Sequence, residues 1–413
     1  MQTLNELLLQ LFGLPEIVAD SDGKTLLDRV ASEEPARPDM LPYLFEGDII
    51  LSDLQMRRMV SGSRRQLLEK NREEGKNKAT NIRDPRSLIS ATSVRWSFPI
   101  AYWIDTSTGV NTSAVQAGIA KWQEQTCATF QQYTKLDLPR GRPSLRFMSG
   151  SGGLFNGTDT QEVSIGSGCE SLGTVTHEIG HALGFYHEQS RPERDNFVSL
   201  QTQNIQSGSL TQFTKQSPSN AVNYGVRYDY GSVMHYNPYG FSIGQPGSEF
   251  QTILTKQPLH QSTIGQREEP SFADVKQINF VYCNSSCIGT AEPACQNGGY
   301  QDPKNCTVCR CPSGLAGTLC TDASLSGSCG QGDLTATIDA QTVTIAGKPD
   351  CNYRITAPAG RRVYVAFSTI VFPPGSIQCT YSYAEIKFSS NLEVSGARIC
   401  NAMRPSSVTS EGQ

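Results

Sequence analysis

The chain has 413 residues, 37% of them hydrophobic, and a formal net charge of -4. A balance this close to neutral lacks the basic stripe of a nucleic-acid binder, and no apolar run reaches the roughly 18 to 20 residues that a membrane-spanning helix needs. The length implies more than one domain.

Cysteine placement divides the chain, since 11 of the 13 cysteines lie from Cys283 onward. That density reads as disulfide-stapled modules made for an oxidising, extracellular compartment. Sequons at Asn111, Asn156, Asn284 and Asn305 are glycosylation candidates that agree with secretion. The first twenty residues have an apolar centre but neither a basic start nor a small-residue cleavage site, so no signal peptide is evident. The cysteines outweigh that missing leader and imply that the start is internal or misassigned.

Residues 1–78 read as a separate leader, helical at first and ending in "RRQLLEKNREEGKNK", a charged run of the kind that forms a solvated helix face or linker. Residues 79–284 read as one mixed α+β domain. The apolar alternation of "VRWSFPIAYWID" predicts a strand, "TSAVQAGIAKWQEQTC" predicts a helix, and further strands precede "GTVTHEIGHALGFYHEQSRPERD".

That last stretch holds three of the chain's five histidines. On a helix, His177 and His181 lie one turn apart on one face, the spacing at which two imidazoles grip one ion. Glu178 lies about 100° round from His177 and so reaches a water beside the metal, not the metal itself. Gly184 stops the helix by accepting a left-handed backbone, and the reversed chain returns His187 as third ligand. Three nitrogens with one open position describe a catalytic zinc, because a structural zinc fills all four places with protein. H-E-x-x-H alone recurs by chance on amphipathic helices; the full H-E-x-x-H-x-x-G-x-x-H string, with Met234 downstream in "YDYGSVMHY" as a methionine turn, is far more specific.

These residues, "HEIGHALGFYHEQSRPERD" with "SVMHY" and "IGQREEPSFADVKQINFVYC", resemble the astacin family of metzincin zinc endopeptidases over about residues 80 to 283. The resemblance implies an α+β metzincin domain, a twisted sheet with an active-site helix, in which His177, His181 and His187 bind one Zn2+. It also implies that Glu178 is the general base on a zinc-activated water and that Tyr236 is an additional phenol stabilising the oxyanion. Glu188 would receive the ammonium of a newly cut N-terminus. "LFEGDIILSD" resembles the family's aspartate switch, with Asp48 as a zymogen latch on the zinc. The cut that frees the enzyme is expected between Arg72 and Arg83. The family usually carries four cysteines in this domain, whereas this chain has Cys127, Cys169 and Cys283, with Gly153 where the fourth would stand. Cys127 would pair with Cys283, leaving Cys169 unpaired.

Residues 285–321 resemble an EGF-like module, implying the pairs Cys287–Cys306, Cys295–Cys309 and Cys311–Cys320; the regularly paired C-x-x-C knuckles of a zinc ribbon are absent. Residues 329–413 resemble a CUB β-sandwich, which implies the pairs Cys329–Cys351 and Cys379–Cys400 and is expected to stop before that fold is complete. Ser382 stands where calcium-binding members carry an aspartate, which disfavours calcium at Glu385.

The reading that unites these features is a secreted zinc endopeptidase made as a zymogen, acting on extracellular or matrix proteins. Its domain order looks most like nematode astacins that process cuticle or eggshell proteins. An activating protease and matrix contacts through the C-terminal modules are the expected partners, with no nucleic acid. The alternative is an inactive extracellular binding protein that keeps the zinc scaffold; an intact Glu178 weighs against it. A zinc hydrolase of non-peptide substrates is a third reading, which the methionine turn and modular tail disfavour.

Overall fold

A computed structural model describes residues 88–89, 95–149, 160–217, 221–324, 332–345, 351–372, 379, 382–400 and 407–412. The leader with Asp48, the sequon at Asn156, Gly153 and Cys329 lie outside the described residues. The first part of the chain gives β1 (Leu88–Ile89), β2 (Ile100–Ile104), α1 (Thr112–Gln125), β3 (Phe130–Gln132), β4 (Ser144–Met148) and β5 (Thr160–Ser164). It continues with α2 (Leu172–Leu183), β6 (Val198–Leu200), β7 (Ala221–Val222), β8 (Ile253–Thr255) and α3 (Phe272–Tyr282).

Four strands form one parallel sheet in the order β3-β2-β4-β5. The sequence alternation across "IAYW" predicts a strand with one buried face. Instead Ile100, Ala101, Tyr102 and Trp103 are all buried, because an inner strand of a parallel sheet is covered on both sides. Helix α1 starts where the Asn111 side chain accepts a hydrogen bond from the Ala114 amide. It buries Val115, Ile119 and Trp122 along one stripe. Gly118 lets it close on α2, since a Cβ there would stand 2.5 Å from Cγ1 of Val175. Trp122 is fully buried and donates its indole N–H to the Thr176 carbonyl at 3.0 Å, so truncating it to alanine costs about 3–5 kcal/mol.

Helix α3 opens with a capping box between Ser271 and Asp274. Just past its end, Cys283 is bonded to Cys127 beyond the end of α1. A sequence separation of 156 residues makes that closure worth about 5 kcal/mol in the loop-entropy account.

After α3 the chain forms the hairpin β9 (Tyr300–Asp302) and β10 (Asn305–Arg310), followed by β11 (Leu315–Ala316) and β12 (Asp322–Ala323). Disulfides Cys287–Cys306, Cys295–Cys309 and Cys311–Cys320 staple this segment, which has little apolar interior of its own. Three strand pairs follow. These are β13 (Asp333–Thr335) with β14 (Arg354–Thr356), β15 (Tyr364–Ala366) with β18 (Ser407–Thr409), and β16 (Ala384–Ile386) with β17 (Ala397–Ile399). Cys379 is bonded to Cys400, and Cys351 is disulfide-bonded. Phe388, Ala397, Ile399 and Val408 form a small core there, against which Leu259 of the preceding domain packs.

Candidate metal centre and active site

Helix α2 begins at Ser171, whose hydroxyl accepts from the Thr174 amide, and ends at Gly184 with φ 110°. That left-handed residue lets the Gly184 and Phe185 amides turn back onto the carbonyls of His181 and Gly180. The chain then reverses and delivers His187 opposite the helix. The rings of His177 and His181 stand 4.6 Å apart, those of His177 and His187 5.2 Å, and those of His181 and His187 4.7 Å. One ligand nitrogen from each falls within 4.8 Å of the others.

The ring nitrogens facing away from this cluster fix the tautomers of the two helix ligands. Nδ1 of His177 lies 2.8 Å from the Val233 carbonyl, and Nδ1 of His181 lies 2.9 Å from the Phe185 carbonyl. A carbonyl only accepts, so both Nδ1 atoms carry the proton and both Nε2 atoms present lone pairs. Those two Nε2 atoms are 3.1 Å apart. Neutral imidazoles avoid aiming lone pairs at each other at that distance, whereas a shared cation requires it. The residues therefore fit zinc: three imidazoles, two of them with backbone acceptors behind them.

Met234 is fully buried beneath the cluster. A side chain at Gly180 would meet its sulfur at 2.8 Å, so α2 rests almost directly on this methionine. The Glu188 amide donates to the Met234 carbonyl at 3.0 Å, which ties the segment carrying His187 to the same turn. Glu178 is half-buried on α2 beside His177. Tyr236 lies with its ring 4.4 Å from that of His187 and packs edge-on against Phe213. Its backbone amide donates to Oε1 of the buried Gln189 at 2.9 Å.

Asp274 was not singled out in the sequence, yet it holds the methionine turn. Its carboxylate accepts from the Ser232 hydroxyl at 2.6 Å, from the Val233 amide at 2.9 Å and from the Ser271 amide at 2.9 Å. Burial pushes this carboxyl up to about 6, against the pull of those donors. The only sequence signal for it was the capping box, which explains the Ser271 contact alone. His235 was also unassigned. It donates from Nδ1 to the Tyr236 carbonyl and accepts the Tyr228 hydroxyl at Nε2, each at 2.7 Å, and burial pushes it down to about 3.

Glu188 is buried, and Oε1 accepts from Arg191 Nη1 and from the Asp229 amide, both at 2.8 Å. Burial pushes this carboxyl up, to about 8, while the Arg191 guanidinium and the Asp229 amide oppose it. Arg191 is itself fully buried and also binds Glu193 and the carbonyls of Val226 and Arg227. Cys169 is a free, exposed cysteine ahead of α2, its thiol pushed up by partial burial and by the charges of Glu178 and Glu170. Asn111, Asn284 and Asn305 are exposed.

The sequence model of the astacin peptidase family matches residues 88–283. Zinc metalloproteinase nas-36 of Brugia malayi is 34% identical over 91% of this chain and 67% of its own length. The chain belongs to the astacin family. Zinc metalloproteinase nas-34 of Caenorhabditis elegans is 48% identical over 97% of this chain and 65% of its own length. The chain thus spans about two thirds of the length of these two astacin relatives. Among solved structures, high choriolytic enzyme 1, a hatching enzyme zinc-protease from Oryzias latipes, is 29% identical with a TM-score of 0.39, covering 46% of this chain and 92% of that one. The astacin match contains the histidine cluster, Glu178, Met234 and Tyr236, and no described helix is long and apolar enough to cross a membrane.

Proposed function

We propose that this chain is a zinc-dependent endopeptidase that hydrolyses peptide bonds of extracellular or matrix proteins. The observation that carries the reading is the convergence of His177, His181 and His187 on one point, with two backbone carbonyls fixing the helix ligands and Glu178 at the adjoining helical position. When bound there, zinc supplies Lewis-acid polarisation of a carbonyl and lowers the pKa of a coordinated water toward neutrality.

The remaining work falls to side chains. Glu178 takes a proton from the attacking water and returns it to the leaving amine. Tyr236, beside His187, donates its hydroxyl to the oxyanion that develops on the substrate carbonyl. Among the described residues strand β5 ends the sheet order and adjoins α2, a placement that supports an extended peptide lying along that side, across the metal site. Synthesis as a secreted zymogen with Asp48 as the latch, recognition of matrix by EGF-like and CUB modules, and cuticle or eggshell substrates complete the reading. The disulfide-stapled hairpin and the strand pairs after residue 285 support the modular part, and an intact Glu178 disfavours a purely binding role.

The test is digestion of a peptide library by leader-free protein, with and without a chelator and beside Glu178→Gln. Cleavage that disappears with the chelator and falls about 10²- to 10⁴-fold in the variant is expected. Zinc-loaded parent protein that cleaves nothing would sink the reading.

A further inference from the structure

The C-terminal module does not hang free of the catalytic domain. The Arg398 amide donates to the Thr263 hydroxyl at 3.0 Å, the Tyr383 hydroxyl donates to Glu268 at 2.8 Å, and Lys276 pairs with Glu393 at 2.9 Å. Glycines mark the closest approach. A Cβ at Gly231 of the catalytic domain would stand 2.4 Å from Ser395, and one at Gly298 of the intervening disulfide-stapled segment would stand 2.6 Å from Glu393.

One of these contacts leads to the metal centre. Asp229 is almost completely buried, and its carboxylate accepts from the Ser395 amide at 3.0 Å, the Ser395 hydroxyl at 3.1 Å and the Gly231 amide at 3.0 Å. Two of those three donors belong to the C-terminal module. The contact with Gly231 folds the turn that begins at Asp229, and the Ser232 amide closes it onto the Asp229 carbonyl. From that turn the Val233 carbonyl holds His177, the Met234 carbonyl holds the amide of Glu188, and the Asp229 amide holds the Glu188 carboxylate. Ser395 is thus joined to a metal ligand through its hydrogen bonds to Asp229, the backbone of the turn from Asp229 to Val233, and the bond from His177 to the Val233 carbonyl.

We infer that Ser395 and Asp229 are positioning residues for the metal centre, so that docking of the C-terminal module fixes the turn behind His177 and Glu188. A second layer of this kind sets ligand orientation, and its loss typically costs 10- to 100-fold in metal affinity or activity. The inference rests on the proposed peptidase reading for its catalytic half only.

The test uses the zinc-loaded full chain and follows metal release to a chelator, then kcat and KM after removal of the leader. Ser395→Asp sets a carboxylate against that of Asp229. It should speed metal release and lower kcat, each by about tenfold, with KM little changed. The paired change D229N/S395D supplies an amide donor to the new carboxylate and should recover most of both losses. Ser395→Ala, which deletes only the hydroxyl contact, should shift both readouts in the same direction by a smaller factor and covers the case in which S395D does not fold. Parental metal release and kcat in S395D or S395A, with only a lowered Tm, would overturn the inference, and so would a double variant as defective as S395D alone. A parent that cleaves no peptide would count against the peptidase reading, while metal release would still decide this one.

Discussion

The carbonyl of Val233 accepts the Nδ1 proton of His177 at 2.8 Å while the amide of Val233 donates to Asp274 at 2.9 Å. A single peptide neighbourhood therefore joins a metal ligand to a buried carboxylate on another helix. Asp274→Asn keeps the shape, but with its oxygen held by the two amides its NH2 faces the Ser232 hydroxyl, which must then accept instead of donate, and three charge-assisted bonds become neutral ones. The variant should lose about 2–3 kcal/mol of stability and bind zinc about tenfold more weakly. Urea denaturation and a competitive metal titration check the two parts separately.

Tyr236→Phe keeps the aromatic packing against His187 and Phe213 and removes only the hydroxyl. A drop in kcat of about 10²-fold is expected, with unchanged zinc content and little change in KM. Steady-state kinetics beside metal analysis would show it; an equal rise in KM would mean that the phenol binds substrate and does not act on the oxyanion.

His260 is buried between Tyr230, 4.6 Å away and stacked, and Phe388 of the C-terminal module at 5.7 Å. Burial pushes it down to about 4, opposed by the charge of Asp229, against an unfolded value near 6.5. A histidine whose folded pKa is depressed binds more protons when unfolded. Its contribution to stability is therefore complete above pH 6.5 and is lost as pH falls from 6.5 through 4. That loss amounts to about 3 kcal/mol. Denaturant midpoints measured at pH 7.5 and 4.5 should fall less in His260→Leu than in the parent, the difference isolating this residue from other acid-labile groups.

Gly173 sits in the first turn of α2, where a Cβ would stand 1.9 Å from the backbone of Arg267. Backbone cannot swing aside as a side-chain tip can. Gly173→Ala should cost about 3 kcal/mol and shift the start of the helix that carries His177. A thermal melt and the zinc content of the purified variant measure both effects.

Cys169 is free and exposed. Native protein treated with an alkylating reagent should be modified there, and peptide mapping without reduction should find the label on the peptide containing Cys169. Absence of label under denaturing, non-reducing conditions would mean that this thiol is engaged.

The metal ligands were legible because their constraints are local: helical periodicity sets His177 above His181, and one glycine sets the reversal that returns His187. The supports behind them were not. Asp274 reaches Val233 from 41 residues away, and Ser395 reaches Asp229 from 166 residues away; neither contact leaves a periodic trace. The strand at β2 was legible as a strand, but its burial on both faces depends on which elements cover it, and pairing order is a tertiary property. At Glu188 the fold adds a partner that the sequence did not show: a guanidinium three residues on faces the carboxylate expected to receive an N-terminal ammonium.

The bond between Cys127 and Cys283 encloses the histidine cluster, Glu178 and Tyr236 in one covalent ring. A peptidase exposed to its own kind at high concentration risks nicking itself, and a single cut anywhere in that ring separates no fragment. Self-digestion within this span would leave the electrophoretic mobility under oxidising conditions close to that of a single intact chain and would split it only after a thiol is added. One internal break would thus leave the histidine ligands covalently joined, and a second would be needed to release a fragment.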